Sequence, residues 1–343
     1  MAWEFDTPAK ISVEKFTYYF HWILNGFNND ILYSHYKRCK ALCLTVSELE
    51  RRNCMPSTYA HYRLGREVFA TLPENIRKQI EPYRDLFNIG LHGPDILFYY
   101  KPMFANRVNQ TGFGMHDRIA LPLFERWGEM IESKEDPRPY FAYLYGFICH
   151  FVLDSECHGY IDEKIAQSGI AHTEIEGELD RELMLKDGHD PTTHYLTEHI
   201  HPSIRNCEVI ADFFENITAE EVQKAIRSMK WYNGLLRAPH RLKRLFVYSF
   251  LLITGNYREI QGLIINYKPN LNCMDSTKIL TEMYEKAFKQ SLMLIREYEE
   301  CILEGIPLNT RYRLTFGSQE QEKVEKGTSG VTDVTKPPML SEG

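Results

Sequence analysis

Along most of this 343-residue chain apolar residues return at three- and four-residue spacing, while strict alternation over five or more positions is scarce. The first pattern lines one face of a helix and the second lines one face of a strand, so the fold is predicted to be all-α. The spacing predicts helices over residues 59–69, 74–87, 118–132, 140–161, 171–185, 219–234, 240–253 and 277–304. The apolar run from Leu245 to Ile253 is far shorter than the roughly 20 residues that span a bilayer. It reads as a buried core helix, and no transmembrane segment is expected.

The pattern changes at both ends. Residues 1–54 carry a compact aromatic cluster, FTYYFHWIL, and run into Met55 without an obvious linker. They read either as a small helical extension or as sequence upstream of a true start at Met55, since Glu50-Arg51-Arg52 can be encoded with a ribosome-binding sequence. The segment 55–316 is expected to be one helical domain. Residues 317–343 are rich in Gly, Ser, Thr, Lys and Glu with few apolar anchors, which predicts a disordered tail.

Composition narrows the choices. With 43% hydrophobic residues the chain has material for a substantial core, and 40 Lys+Arg against 47 Asp+Glu leave a net charge of -7. No chain-wide positive field draws it to nucleic acid or an anionic membrane. The eight cysteines contain no Cys-x-x-Cys pair and are expected to be free thiols in a reducing compartment. The opening Met1-Ala2-Trp3-Glu4-Phe5-Asp6 lacks the features of a secretory signal, so a cytoplasmic location is expected.

The candidate chemistry lies in the middle of the chain. His150, Asp154 and His158 stand at i, i+4 and i+8 in an otherwise apolar helix, and His172 and Glu176 stand at i and i+4 on the next one. Imidazole nitrogen and carboxylate oxygen are the usual ligands of catalytic zinc. Each pair alone is more often a surface ion pair, but five such groups in apolar surroundings are costly to bury without a metal or mutual pairing. Metal binding is therefore expected.

From Tyr59 to about Asp180 the chain resembles the zinc-dependent phospholipase C family, whose helical fold is shared with fungal single-strand nucleases. The matching motifs, in order, are His61-Tyr-Arg-Leu-Gly65, Gly93-Pro94-Asp95, Met115-His116-Asp117, His150-x3-Asp154-x3-His158, and Ala171-His172 followed by Glu176. The resemblance implies that Asp95, His116 and His150 bind one zinc and that Asp154 bridges it to a second, which His61 also binds. It implies that His158, His172 and Glu176 hold a third, and it gives Asp95 a general-base role as well. In the family the His61-type zinc takes further ligands from the first residue of the mature protein. Here 60 residues precede His61, so two or three zincs are expected according to whether the chain starts at Met55 and exposes Pro56.

The resemblance further implies a phosphodiester substrate such as a phospholipid headgroup, attacked by metal-activated water. Choline-type members carry an aromatic residue after the motif aspartate, and Ile96 stands there, so a choline cage is not expected. A nuclease or phosphatase on the same metals is the second enzymatic reading, with nucleic acid disfavoured by the charge balance. A non-catalytic, zinc-stabilised binding protein is the third. His189, His194, His199 and His201 are expected to be solvated loop residues. Arg237, His240, Arg241, Lys243 and Arg244 should form a solvated helix face. Phe98, Tyr99, Tyr100 and Phe104 suit a substrate wall or core packing equally.

Overall fold

The computed structural model describes residues 58–102 and 104–317. The N-terminal extension, the alternative start at Met55 and the tail beyond Gly317 lie outside the described residues. Twelve helices follow in order: α1 (Tyr59–Thr71), α2 (Glu74–Ile80), α3 (Arg84–Gly90), α4 (Arg107–His116), α5 (Leu121–Glu132), α6 (Arg138–Ser168), α7 (His172–Lys186), α8 (Ile204–Ala211), α9 (Ala219–Leu236), α10 (Arg241–Thr254), α11 (Tyr257–Ile260) and α12 (Met274–Glu304). Short 3-10 turns join several of them, and the described residues contain no strand, only an isolated bridge between Ile119 and Thr315. The all-α expectation holds.

Seven of the eight predicted helices recur with shifted ends. The helix expected over 74–87 is divided, because Pro82 cannot continue the hydrogen-bond ladder and a 3-10 turn over Glu81–Tyr83 separates α2 from α3. Three helices went unread: α4, α8 and the single-turn α11. In α4 two internal glycines weaken the periodic signal, and the helix is secured instead by a reciprocal capping box between Asn106 and Asn109. The eight-residue α8 starts on the Ser203 side chain, which accepts from the Asn206 amide.

Buried on all sides from Phe141 to Ser155, α6 is the axis of the molecule, flanked by α3 and by α12. At the α3 crossing a Cβ on Gly146 would stand 2.1 Å from the Phe87 carbonyl oxygen, and one on Gly90 2.2 Å from that of Tyr143. Only glycines allow the two backbones to meet there. The close contact sets the depth at which α6 carries His150, Asp154 and His158. No helix among the described residues is long and apolar enough to cross a membrane.

The expected burial of 245–253 is corrected. On α10 only Arg244, Val247 and Leu251 are buried; with Leu236, Ala238 and Ile264, the two apolar residues of that face form a satellite cluster apart from the main core. Leu245, Phe250 and Leu252 face outward.

Candidate metal centre

All eight residues named above converge. Asp95, His116, His150 and Asp154 present ligand atoms within 4.8 Å of one another, and His158, His172 and Glu176 do the same in a second group. Asp154 joins the two. Its Oδ2 lies 3.1 Å from His150 Nε2 and 3.7 Å from His116 Nε2, while its Oδ1 lies 3.3 Å from His61 Nε2 and 3.8 Å from His158 Nε2. His61 belongs to neither close group, but its ring stacks on His150 at 4.6 Å between centroids.

Within the groups, His116 Nε2 is 3.0 Å from Asp95 Oδ1, His150 Nε2 is 3.6 Å from Asp95 Oδ2, and Glu176 Oε1 is 3.1 Å from His172 and 3.6 Å from His158. Ligands about 2.1 Å from a tetrahedral zinc stand about 3.4 Å from one another. Most of these spacings match that edge.

The polar accounting also calls for a cation. Both carboxylate oxygens of Asp95, both ring nitrogens of His150, Nδ1 of His61, Oδ2 of Asp154 and Nε2 of His158 are buried without a partner in hydrogen-bond geometry. Leaving so many polar atoms unsatisfied is expensive, and a set of carboxylate and imidazole donors around common points is what zinc takes. The residues fit the metal.

Electrostatically, the metal-free centre is a network of imidazoles and carboxylates. Burial opposes the charged form of His116, yet Asp154 and Asp95 outweigh it and hold its pKa well above the ordinary histidine value. The same balance, against Asp154 for His61 and against Glu176 for His172, raises both. Burial would raise Asp154 and Glu176, but the neighbouring histidines hold Asp154 well below, and Glu176 below, the carboxylate range. His116 and His172, each 18% exposed, are the most accessible members and mark the open side.

Local structure explains the positions. Gly93 has φ +47, and a Cβ there would lie 2.1 Å from the His150 ring, so only glycine both makes the turn before Asp95 and seats that imidazole. The His116 ring is oriented by a 3.0 Å contact between Nδ1 and the Gly112 carbonyl, which leaves Nε2 as the ligand atom. Phe98 stacks on Phe113 and sits 5.2 Å from the His116 ring, so of the four aromatic candidates it lies against the centre. Phe104 is exposed.

Sequence reasoning missed two supports. The Asp180 carboxylate accepts the Tyr59 and Ala60 amides at 3.0 and 2.7 Å, capping α1 two residues before His61. No local motif announces it, because the cap comes from another helix. The second support is a buried pair: His199, expected in solvent, lies 2.8 Å from His92 Nε2 and stacks on Tyr62 at 3.8 Å. His189 and His194 also stack on each other, at 4.2 Å, whereas His201 is exposed as expected.

No curated protein and no solved structure matches the chain. A family model described as zinc dependent phospholipase C matches residues 60–232, a stretch holding every candidate ligand and covering just over half of the sequence. With that match and the two groups of candidate ligands, the chain belongs to the zinc-dependent phospholipase C family.

Proposed function

We propose that this protein is a zinc-dependent phosphodiester hydrolase of phospholipase C type, releasing a phosphorylated headgroup from a lipid or a similar diester. The observation that carries the reading is the set of four imidazoles, His61, His116, His150 and His158, within 3.8 Å of the single carboxylate of Asp154. A carboxylate so surrounded suits a bridge between cations. In this reading Asp95, His116 and His150 hold one zinc, Asp154 shares it with a second that His61 also binds, and His158, His172 and Glu176 hold a third.

Bound there, zinc would neutralise phosphate oxygens and lower the pKa of a water to about 7 for attack on phosphorus. Asp95, whose buried oxygens stand 3.0 Å from His116 Nε2 and 3.6 Å from His150 Nε2, is the candidate proton acceptor. Ile96, fully buried, offers no aromatic wall for a quaternary ammonium, and Phe98 packs 5.2 Å from the His116 ring. A purely structural zinc site is usually closed and cysteine-rich. The partial exposure of His116 and His172 favours a centre that admits substrate.

The test is metal analysis combined with hydrolysis of a chromogenic phosphodiester. Turnover should vanish on chelation and return with zinc. Asp154→Asn should deplete metal from both groups and lower turnover by more than ~100-fold, since even outer-shell partners of a metal ligand cost 10–100-fold. A variant that keeps its full zinc content and activity would sink the bridging assignment, and turnover indifferent to chelation would sink the reading.

A further inference from the structure

Outside the metal centre the most unusual surface is α10. Positions 242, 245, 250 and 252 share the side of this helix opposite Arg244, Val247 and Leu251, and that outer side is apolar. Leu242 is 83% exposed, Leu245 64% and Leu252 62%, and Trp231 of the preceding α9 is 61% exposed. Clusters of large apolar residues held in water mark a binding surface.

Charge identifies what would cover it. Residues 222–258 contain eight Lys and Arg and no Asp or Glu, in a chain whose net charge is -7. Five of the eight, Lys224, Arg227, Arg237, Arg241 and Arg258, are exposed. Of the basic run expected as a solvated helix face, Arg237, His240 and Arg241 are exposed as expected, Lys243 is half-buried and Arg244 is buried. An apolar helix face with leucine and tryptophan, rimmed by cations, is the composition of an interfacial membrane-binding element. A nucleic acid would use the cations but has no place for the leucines. A second copy would bring two cationic surfaces face to face.

We propose that the outer face of α10, with the exposed cations of residues 222–258, docks this protein on an anionic phospholipid surface. The proposal deepens the phospholipase C reading by saying how the protein reaches a lipid-embedded diester, though docking itself requires no hydrolysis. The docking helix is tied to the centre. Arg258 donates to the Gly169 carbonyl, Thr173 Oγ1 donates to the Glu259 carbonyl at 2.8 Å, and a Cβ on Gly262 would lie 2.3 Å from the Glu174 amide nitrogen. The segment following α10 is thus packed on the first turn of α7, where His172 stands.

The test is co-sedimentation of the full-length, zinc-loaded protein with vesicles of phosphatidylcholine, with or without phosphatidylserine, at low and high salt. Binding should need phosphatidylserine and weaken with salt. Leu242→Glu with Leu245→Glu should lower the partition coefficient by about tenfold or more, with the helical circular dichroism and turnover of a soluble diester unchanged. Arg241→Glu alone should weaken binding less and flatten its salt dependence. No vesicle binding by the unaltered chain, or binding indifferent to the leucine substitutions, overturns the proposal. So does a concentration-dependent increase in mass that these substitutions abolish in the absence of vesicle binding, which assigns the face to a second copy. Vesicle binding without turnover of any diester sustains the docking surface and removes the hydrolase reading; turnover of a soluble diester without vesicle binding does the reverse.

Discussion

Asp154 and His199 illustrate how differently a polar side chain can be legible. Asp154 sits between two histidines at helical spacing, and that spacing alone marked it as a ligand candidate. That its two oxygens face different groups depends on α1, α4 and the Gly93–Tyr99 turn arriving from elsewhere. His199 had no such context and read as a loop residue, yet it is buried against His92 and Tyr62. Burial, followed by the Lys230 charge, pushes its pKa down to about 3 from the ordinary 6.5. The folded protein therefore holds this ring neutral where an unfolded chain would protonate it. Its contribution is complete above pH ~6.5 and is lost as the pH falls toward 3, at up to about 1.4 kcal/mol per pH unit. Urea unfolding of the unaltered protein and of His199→Gln should converge as the pH is lowered from 7 to 5. Parallel curves would mean that His199 is protonated in the fold.

Elements show the same division. Within α6 the spacing of His150, Asp154 and His158 is a property of one helix and is readable from one stretch of sequence. In α7 the four-residue step continues past His172 and Glu176 to Asp180, whose carboxylate takes the first amides of α1. One helix thus supplies two candidate ligands and the cap that anchors a third. Asp180→Ala should destabilise the fold by about 1–3 kcal/mol, because two buried amides lose a charged acceptor. It should also loosen zinc retention at His61. Thermal unfolding and dialysis against a chelator would check both, and an unchanged melting temperature would exclude the capping role. For α10, a continuous apolar run is compatible with a helix in the core or with one that leaves an apolar side exposed. Which it is follows from the sites where Val247 and Leu251 find their satellite cluster.

At the scale of the whole molecule, the centre ties together α1, the turn bearing Asp95, α4, α6 and α7. Anything that binds there binds only the folded chain. Zinc at about a hundredfold over its dissociation constant should add about 2.7 kcal/mol, raising the melting temperature by about 5–10 °C relative to chelated protein. Calorimetry with and without chelator measures this directly, and a melting temperature blind to zinc would contradict a centre that bridges these helices.

The amino-acid sequence alone determined the helical class, most helix positions and five of the eight candidate ligands, because apolar periodicity and i,i+4 spacing are local properties written within single helices; His61, Asp95 and His116 were legible only through the resemblance to the family. The tertiary structure decided the rest: the convergence on Asp154, the cap that Asp180 lends to α1, the burial of the His92 and His199 pair, and the outward face of α10. Each of these is a distance between segments far apart in the chain, set by how closely helices pack, as Gly90 against Gly146 and Gly93 beneath His150 show. Packing at that resolution leaves no periodic trace in a single sequence.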